Sequence, residues 1–507
     1  MTLFRSPLPD VALRDVTITE ALFAALVKAP DRVVLIDGPT GKTLTGAQVM
    51  QQIKSLAGGL MARGYGAGHR VALMAPNCPE FAVVFHAVAW AGGTLTTLNP
   101  TYTAHEVNHQ LQDSGAEVLF TIPAFEAIAR EGMQGTACRE LVMLDDWQGD
   151  PLPSQVPVDL DSHIVVLPYS SGTTGLPKGV MLSHRNLVVN VDQGLAVIKI
   201  LPDETMVAFL PFFHIYGMNV MMNTHLIAGA RLICMPRFDL QAFLGFVQDY
   251  RIRMVMAVPP VANALAKHPL VDQYDISSLK VFVSAAAPLG AELSNACAAR
   301  TGTNTMQGYG MTELSPISHF SNEEHAVPGG VGVTVPNTLC KIVDENGVAL
   351  DVNAEGELLI KGPQVMKGYL NNPDATARTI DAEGWLHTGD IACFDENGQL
   401  FIRDRLKELI KVKGFQVAPA ELEAVLQTYP GVLDAAVIGV PDDEAGEVPM
   451  AFVVLAPGVE VAGIAAFMAQ ELSHYKQPKT IQVIDAIPKS ASGKILRRLL
   501  KDRVSAL

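Results

Sequence analysis

Along residues 30–290, short runs of β-branched and other apolar residues alternate with longer amphipathic stretches. RVALMAP (70–76), EVLFTIP (117–123), HIVVLPY (163–169) and RMVMAVPP (253–260) have the length and composition of buried strands. Residues 45–63, with Thr45 as N-cap, and residues 79–91 read as helices, each long enough to cover a sheet face and each ending near a glycine. This rhythm predicts an α/β fold of mixed or parallel sheets flanked by helices.

From about residue 331 to 403 the texture changes to short strands and turns, with DENG at 344–347 and again at 395–398, so a β-rich subdomain is expected there. The following DRLKELIKVKGFQ (404–416) is basic and reads as helical. An α+β rhythm then runs through AELEAVLQTYPGVLDAAVIGVPD (420–442) and AFVVLAP (451–457). The chain is therefore divided into a large N-terminal domain, 1–404, and a small α+β C-terminal domain, 405–507. With no internal repeat and no low-complexity linker, the hinge must be short, and DRLK (404–407) is its candidate.

At 507 residues the chain exceeds the roughly 250–300 at which one hydrophobic core stops growing, which agrees with this division. A hydrophobic content of 49% against 18% charged argues against intrinsic disorder. The net charge of −15 disfavours nucleic acid or an anionic membrane surface as partner. A small phosphorylated ligand stays compatible, because local cations and backbone N–H groups outweigh a distant, screened field. The six cysteines are widely spread without a CxxC pair, and are read as reduced, mostly buried thiols. The N-terminal residues lack a basic and apolar leader, and no run of about 18 apolar residues occurs, so a cytoplasmic protein is expected. Ser505-Ala506-Leu507 is similar to a peroxisomal address but lacks its basic middle residue.

Candidate chemistry begins at YSSGTTGLPKG (169–179), directly after a buried strand. Its glycines and small hydroxyl residues let backbone N–H groups approach an anion closely, so Ser170, Ser171, Gly172, Thr173, Thr174, Gly175 and Lys178 form a candidate phosphate cradle. It is not a Walker loop. GPTGKT (38–43) has the wrong glycine spacing for one and is read as a surface turn.

SSGTTGLPKG resembles the signature of the adenylate-forming superfamily, which contains acyl-CoA synthetases, peptide-synthetase adenylation domains and firefly luciferase. Seven further segments match in order: PFFHIYGM (211–218), SAAAPLG (284–290), QGYGMTE (307–313), GELLIKG (356–362), GWLHTGD (384–390), DRLKELIKVKGFQVAPAELE (404–423) and PKSASGK (488–494). The likeness is strongest to 4-coumarate:CoA ligases and fatty acyl-CoA synthetases. It implies an ATP-dependent ligase that makes an acyl-adenylate, releasing pyrophosphate, and then an acyl-CoA thioester, releasing AMP.

In that chemistry a carboxylate attacks the α-phosphate, and two anions must be brought together by supplied positive charge. The resemblance assigns Mg²⁺ to Glu313 and Thr173, and α-phosphate contact to Thr312. It assigns the adenine site to Tyr309 with Ala286, Ala287 and Pro288, further ATP or AMP contacts to Gln307 and Gly308, and the ribose to Asp390 and Arg405. Lys494 becomes the adenylation lysine and His214 shapes the mouth of the acyl pocket. Lys407 becomes a hinge, about which the C-terminal domain turns to bring in Lys411 and Gln416 for thioester formation. Lys413 and Gly414 are placed beside coenzyme A.

Tyr216, Ala285, Gly310, Pro316 and Ile317 are expected to line a mostly apolar acyl pocket, suited to an aromatic or alkyl tail. Coumarate ligases commonly carry Ser-Gly-Ala-Ala-Pro where this chain has Ser284-Ala285-Ala286-Ala287-Pro288, and Ser315 stands where glycine is often found. An arylpropenoic acid and a medium or long-chain fatty acid both remain open, as does a homodimer. A carrier-protein-loading adenylation enzyme would share the first half-reaction without needing a CoA site. A luciferase-like oxygenase would show no separate motif. A non-catalytic nucleotide-binding regulator would be expected to lack Lys494, Glu313 or Asp390, and all three are present.

Overall fold

The computed structural model describes residues 2–505 apart from 145, 171–176, 202, 323–325, 407, 413–414, 443–444 and 491–492, and without the side chains of 415, 416 and 505. Three of its sheets carry the α/β rhythm. In the largest, Ile164–Ser170, Thr94–Leu98, Arg70–Met74, Val118–Thr121 and Glu140–Met143 lie parallel in that order. Lys178–Ser183 and Gly368–Tyr369 extend it antiparallel. A second sheet orders Met254–Ala257, Val281–Ser284 and Asn304–Gly310 in parallel, then turns antiparallel through Ile317–Phe320 and Val333–Thr334. A third joins Thr205–Ala208, Arg231–Cys234, Val33–Asp37 and Thr43–Thr45. The four apolar runs read as strands all form strands, and GPTGKT is the exposed turn between the last two of these strands.

The helix Gly46–Ala62 begins where its sequence says it should. Thr45 accepts from the Gln48 N–H (3.3 Å) and the Gln48 side chain accepts from the Thr45 N–H (2.8 Å), which satisfies two end groups at once. Val49, Ile53, Leu56 and Leu60, spaced by three or four, are its buried stripe. Pro79–Trp90, by contrast, is buried on every side, and proline at its first position gives up an N–H that no helix turn would have used.

Residues 339–405 form the expected antiparallel sheet of Leu339–Val343, Gly356–Lys361, Leu386–Phe394 and Leu400–Arg405. Both DENG segments are turns, with Gly347 at φ 78 and Gly398 at φ 75, where a side chain would be strained. The sheet also takes in Phe4–Arg5, whose Phe4 ring stacks on Phe394 at 3.9 Å. That strand was not anticipated, because two residues carry no periodicity.

The helix expected within 404–416 is absent: Ile410–Val412 and Phe415–Val417 are paired antiparallel strands, with Lys411 opposite Gln416. Ile410 and Val412 are buried while Lys411 between them is exposed, a period of two that outweighs the helix propensity of leucine, lysine and glutamate. These strands join Gly446–Leu455, Val432–Asp442 and Thr480–Val483 in a separate sheet. Ile410, Val417, Leu422, Leu426, Val437 and Val453 give it a core of its own. Among the described residues, no helix is long and apolar enough to cross a membrane.

Candidate active site

Tyr309 lies half-buried near the end of the central strand Asn304–Gly310, and its hydroxyl donates to Asp390 at 2.5 Å. Asp390 lies on Leu386–Phe394 directly opposite Arg405 in the strand register, with the guanidinium 3.5 Å from its carboxylate. Burial raises the Asp390 carboxyl above its ordinary range, while Arg405 and the Tyr309 hydroxyl pull it back toward the anion. Three residues far apart in sequence thus form one polar corner.

Next to that corner lies a small cleft with about 80 Å³ of free space. All five expected acyl-pocket residues, Tyr216, Ala285, Gly310, Pro316 and Ile317, line it. So do His214, Ala286, Gly308, Tyr309, Thr312 and Lys494. Lys494 arrives from the C-terminal unit, and Gly493 beside it approaches the side chain of Val258. Burial, and then the charge of Arg405, hold the Lys494 ammonium below the usual lysine range, against the pull of Asp390, Glu313 and Glu408. His214 is pushed down to about 4, first by burial and then by Lys494, so at neutral pH it is an uncharged ring.

Glu313 is buried in a short turn, Thr312–Leu314, and accepts from the Tyr369 hydroxyl at 2.8 Å. The Lys178 ammonium sits over the ring of that tyrosine, 4.7 Å from its centroid, so Tyr369 meets a carboxylate through its hydroxyl and a cation through its ring. Ser170 and Lys178 are register partners on adjacent strands. Ser171, Gly172, Thr173, Thr174 and Gly175 lie outside the described residues, as do Lys407, Lys413, Gly414 and the side chain of Gln416.

Several expected residues are placed elsewhere. Gln307 is buried and accepts from the Leu289 N–H (3.1 Å) while donating to the Leu289 carbonyl (3.3 Å), so its amide holds the 285–289 segment. Ala287 and Pro288 lie within that segment but do not line the cleft. Lys411 is exposed, its backbone N–H donating to Glu447 at 2.9 Å, and it takes no part in the cleft. Ser315 also turns away from it: its hydroxyl donates to the Gln364 carbonyl at 2.8 Å, and its φ of 73 is a conformation that glycine adopts without strain.

Ile215, Val220, Met311, His319 and Phe320 complete the wall, and sequence reasoning did not name them. His319 was legible, being two positions from Ile317 on one strand and so on the same face. Its ring nitrogens meet Ser318 Oγ (3.1 Å) and Thr334 Oγ1 (3.3 Å). Val220 was legible too, four positions from Tyr216 and so on the same helical face, although Tyr216–Thr224 is a π-helix rather than an α-helix. There the Thr224 hydroxyl donates to the Asn219 carbonyl (2.8 Å), and His225 Nδ1 lies 2.9 Å from the Val220 carbonyl.

Residues 22–370 match the family described as AMP-binding enzyme, and 421–494 its C-terminal domain. The chain is 42% identical to 4-coumarate–CoA ligase 5 of Oryza sativa subsp. japonica, over 99% of this chain and 97% of that one. Among solved structures, the anthranilate CoA ligase AuaEII in complex with anthranoyl-AMP superposes with a TM-score of 0.91 at 25% identity, covering 98% of this chain and 99% of that one. The o-succinylbenzoate coenzyme A synthetase of Bacillus subtilis with ATP and magnesium ion gives 0.84 at 28% identity, covering 95% and 99%. The chain belongs to the AMP-binding enzyme family and, within it, to the acid–CoA ligases that work through an acyl-adenylate.

Proposed function

We propose that the cleft takes the tail of a carboxylic acid and presents its carboxylate beside Lys494, where it attacks the α-phosphate of ATP. The observation that carries this reading is the place of Lys494: a cation from the C-terminal unit lies in the wall of the same cleft as Tyr309 and His214. As a point charge it offsets the repulsion between carboxylate and phosphate in the step that forms the acyl–phosphate bond and expels pyrophosphate. Neutral His214 leaves that field intact. Tyr309 offers a ring face to adenine, Asp390 and Arg405 hold the ribose hydroxyls, and Thr312 the α-phosphate.

Glu313 fits a magnesium ion shared with phosphate oxygens, since its carboxylate is buried and already oriented by Tyr369. Bound there, Mg²⁺ neutralises phosphate charge. Residues 405–507 then turn about Lys407, withdrawing Lys494 and bringing Lys411, Gln416, Lys413 and Gly414 to coenzyme A. The exposed position of Lys411 on a sheet away from the cleft supports two arrangements rather than one.

The mostly apolar wall of Ile215, Val220, Ile317 and Phe320 suits an arylpropenoic or alkyl tail, and kinship with the rice ligase makes 4-coumarate the first acid to try. The test is to supply ATP, Mg²⁺ and acids from acetate to palmitate, with 4-coumarate, cinnamate and benzoate, and to measure AMP and pyrophosphate with and without CoA. Turnover requiring both acid and CoA is expected. AMP formed without CoA dependence would favour carrier-protein loading, and silence across the panel a non-catalytic nucleotide binder.

A further inference from the structure

Lys494 sits on a tight loop whose ends are pinned. The Ser490 N–H donates to the Lys494 carbonyl (2.8 Å), the Lys494 N–H to Ser490 Oγ (3.2 Å), and the Leu496 N–H to the Pro488 carbonyl (2.8 Å). These bonds shape the loop without fixing where it points. One turn further along, Arg497 makes three longer-range contacts. Its Nη1 donates to Glu408 (2.7 Å), its Nη2 to Glu423 (2.7 Å) and its Nε to the Val437 carbonyl (3.1 Å). Glu423 also accepts from the Val437 N–H at 2.8 Å, so the guanidinium and the carboxylate close a ring on one strand position. All three side chains are largely buried, with exposures of 16%, 18% and 11% for Arg497, Glu408 and Glu423. Glu408 in turn donates its N–H to the carbonyl of Arg405, the residue paired with Asp390.

We propose that Arg497 is a positioning residue for adenylation, tying the Lys494 loop to the core of the C-terminal unit and, through Glu408, to the segment that carries Arg405. The inference rests on the role given above to Lys494. Arg497 does not line the cleft, so it acts through other residues, above all the lysine. Its planar fork matters, because a single ammonium cannot reach two carboxylates and a carbonyl in fixed directions. Thioester formation, which uses another face of the same unit, does not draw on this register.

The two half-reactions separate the possibilities. Acid-dependent ATP–pyrophosphate exchange reports adenylation, using the acid that wild type activates best, and CoA-dependent AMP release from the chemically prepared adenylate of that acid reports the second step. Arg497→Lys is expected to slow exchange by about 10- to 100-fold, the scale of an ångström-sized misplacement, at an unchanged KM for ATP. The second step should stay within about twofold of wild type. Glu408→Gln, which leaves the Glu423 and Val437 contacts in place, should move exchange in the same direction by less. Equal loss in both half-reactions, tracking the folded fraction, would reduce Arg497 to a structural residue and overturn the proposal, as would no loss in either. If wild type shows no exchange with any acid, the ligase reading itself falls, and this inference with it.

Discussion

The Tyr309 hydroxyl and the Asp390 carboxylate meet at 2.5 Å, joining a parallel-sheet strand to the antiparallel sheet beside it. Tyr309→Phe keeps the ring and removes the donor, leaving a buried carboxylate one partner short, at a cost of about 1–3 kcal/mol. The KM for ATP should rise roughly tenfold with little change in kcat, the signature of lost uniform binding. A fall in kcat at constant KM would show that the bond acts in the chemical step instead.

Because burial and Arg405 hold the Lys494 ammonium below the usual lysine range, its charge is lost at a lower pH than that of a free lysine, near 10.4. Exchange should therefore decline on the alkaline side at a lower pH than a free lysine would set, while Lys494→Arg, whose charge persists, should show less of that decline at whatever lower rate it retains. Identical alkaline limbs in the two proteins would assign the titration to another group.

His86, His184 and His319 are pushed down to about 3, and His214 to about 4, in each case first by burial. All four are neutral when folded but take up protons near pH 6.5 when unfolded, so acid favours the unfolded chain. Glu423, raised to about 6 by burial, works the other way between its unfolded and folded values. The melting temperature should fall steadily from pH 7.5 to 5. A flat profile would contradict the assignment of these rings as buried and neutral.

Gly194, on the helix His184–Val197, backs the acyl wall: a Cβ built there stands 3.2 Å from Ile317 Cδ1. Gly194→Ala should press Ile317 into the cleft and favour straight-chain over ring-bearing acids, by about tenfold in the ratio of kcat/KM values. Ile317→Ala should shift the ratio the opposite way. Competition between 4-coumarate and octanoate measures both.

Ser315 combines a left-handed backbone with a hydrogen bond to Gln364. Ser315→Ala loses the bond and keeps the strain, whereas Ser315→Gly loses the bond and relieves it. The glycine variant should be the more stable of the two by about 1 kcal/mol in denaturant melts, and the reverse order would refute this reading of the turn.

Much of this architecture is written locally. The capping box at Thr45 and the two DENG turns follow from a few adjacent side chains, and the structure has them where the chain says. Residues 404–416 misled because propensity and burial disagree there, and burial of Ile410 and Val412 decided the outcome. In the cleft, side chains named by motif were found together, but Gln307 is spent on the Leu289 backbone and Ser315 on Gln364. A motif specifies which residue occurs, while the direction its side chain takes depends on partners dozens of positions away. The contacts of Arg497 illustrate this, reaching back 60 to 89 positions.

Tyr216 and Val220, four positions apart, share the cleft wall on a helix with the wider winding of a π-helix, whose carbonyls are answered by Thr224 and His225. A π-turn holds about one residue more than an α-turn, so removing one residue from this stretch would restore the α-helical period at the cost of the Asn219 and Val220 carbonyl contacts that now shape it. The wall would be redrawn there without any lining residue having been substituted. In this fold, chain length within one turn is thus itself a determinant of which acids fit, and relatives can diverge in selectivity through a single deletion as readily as through a change of side chain.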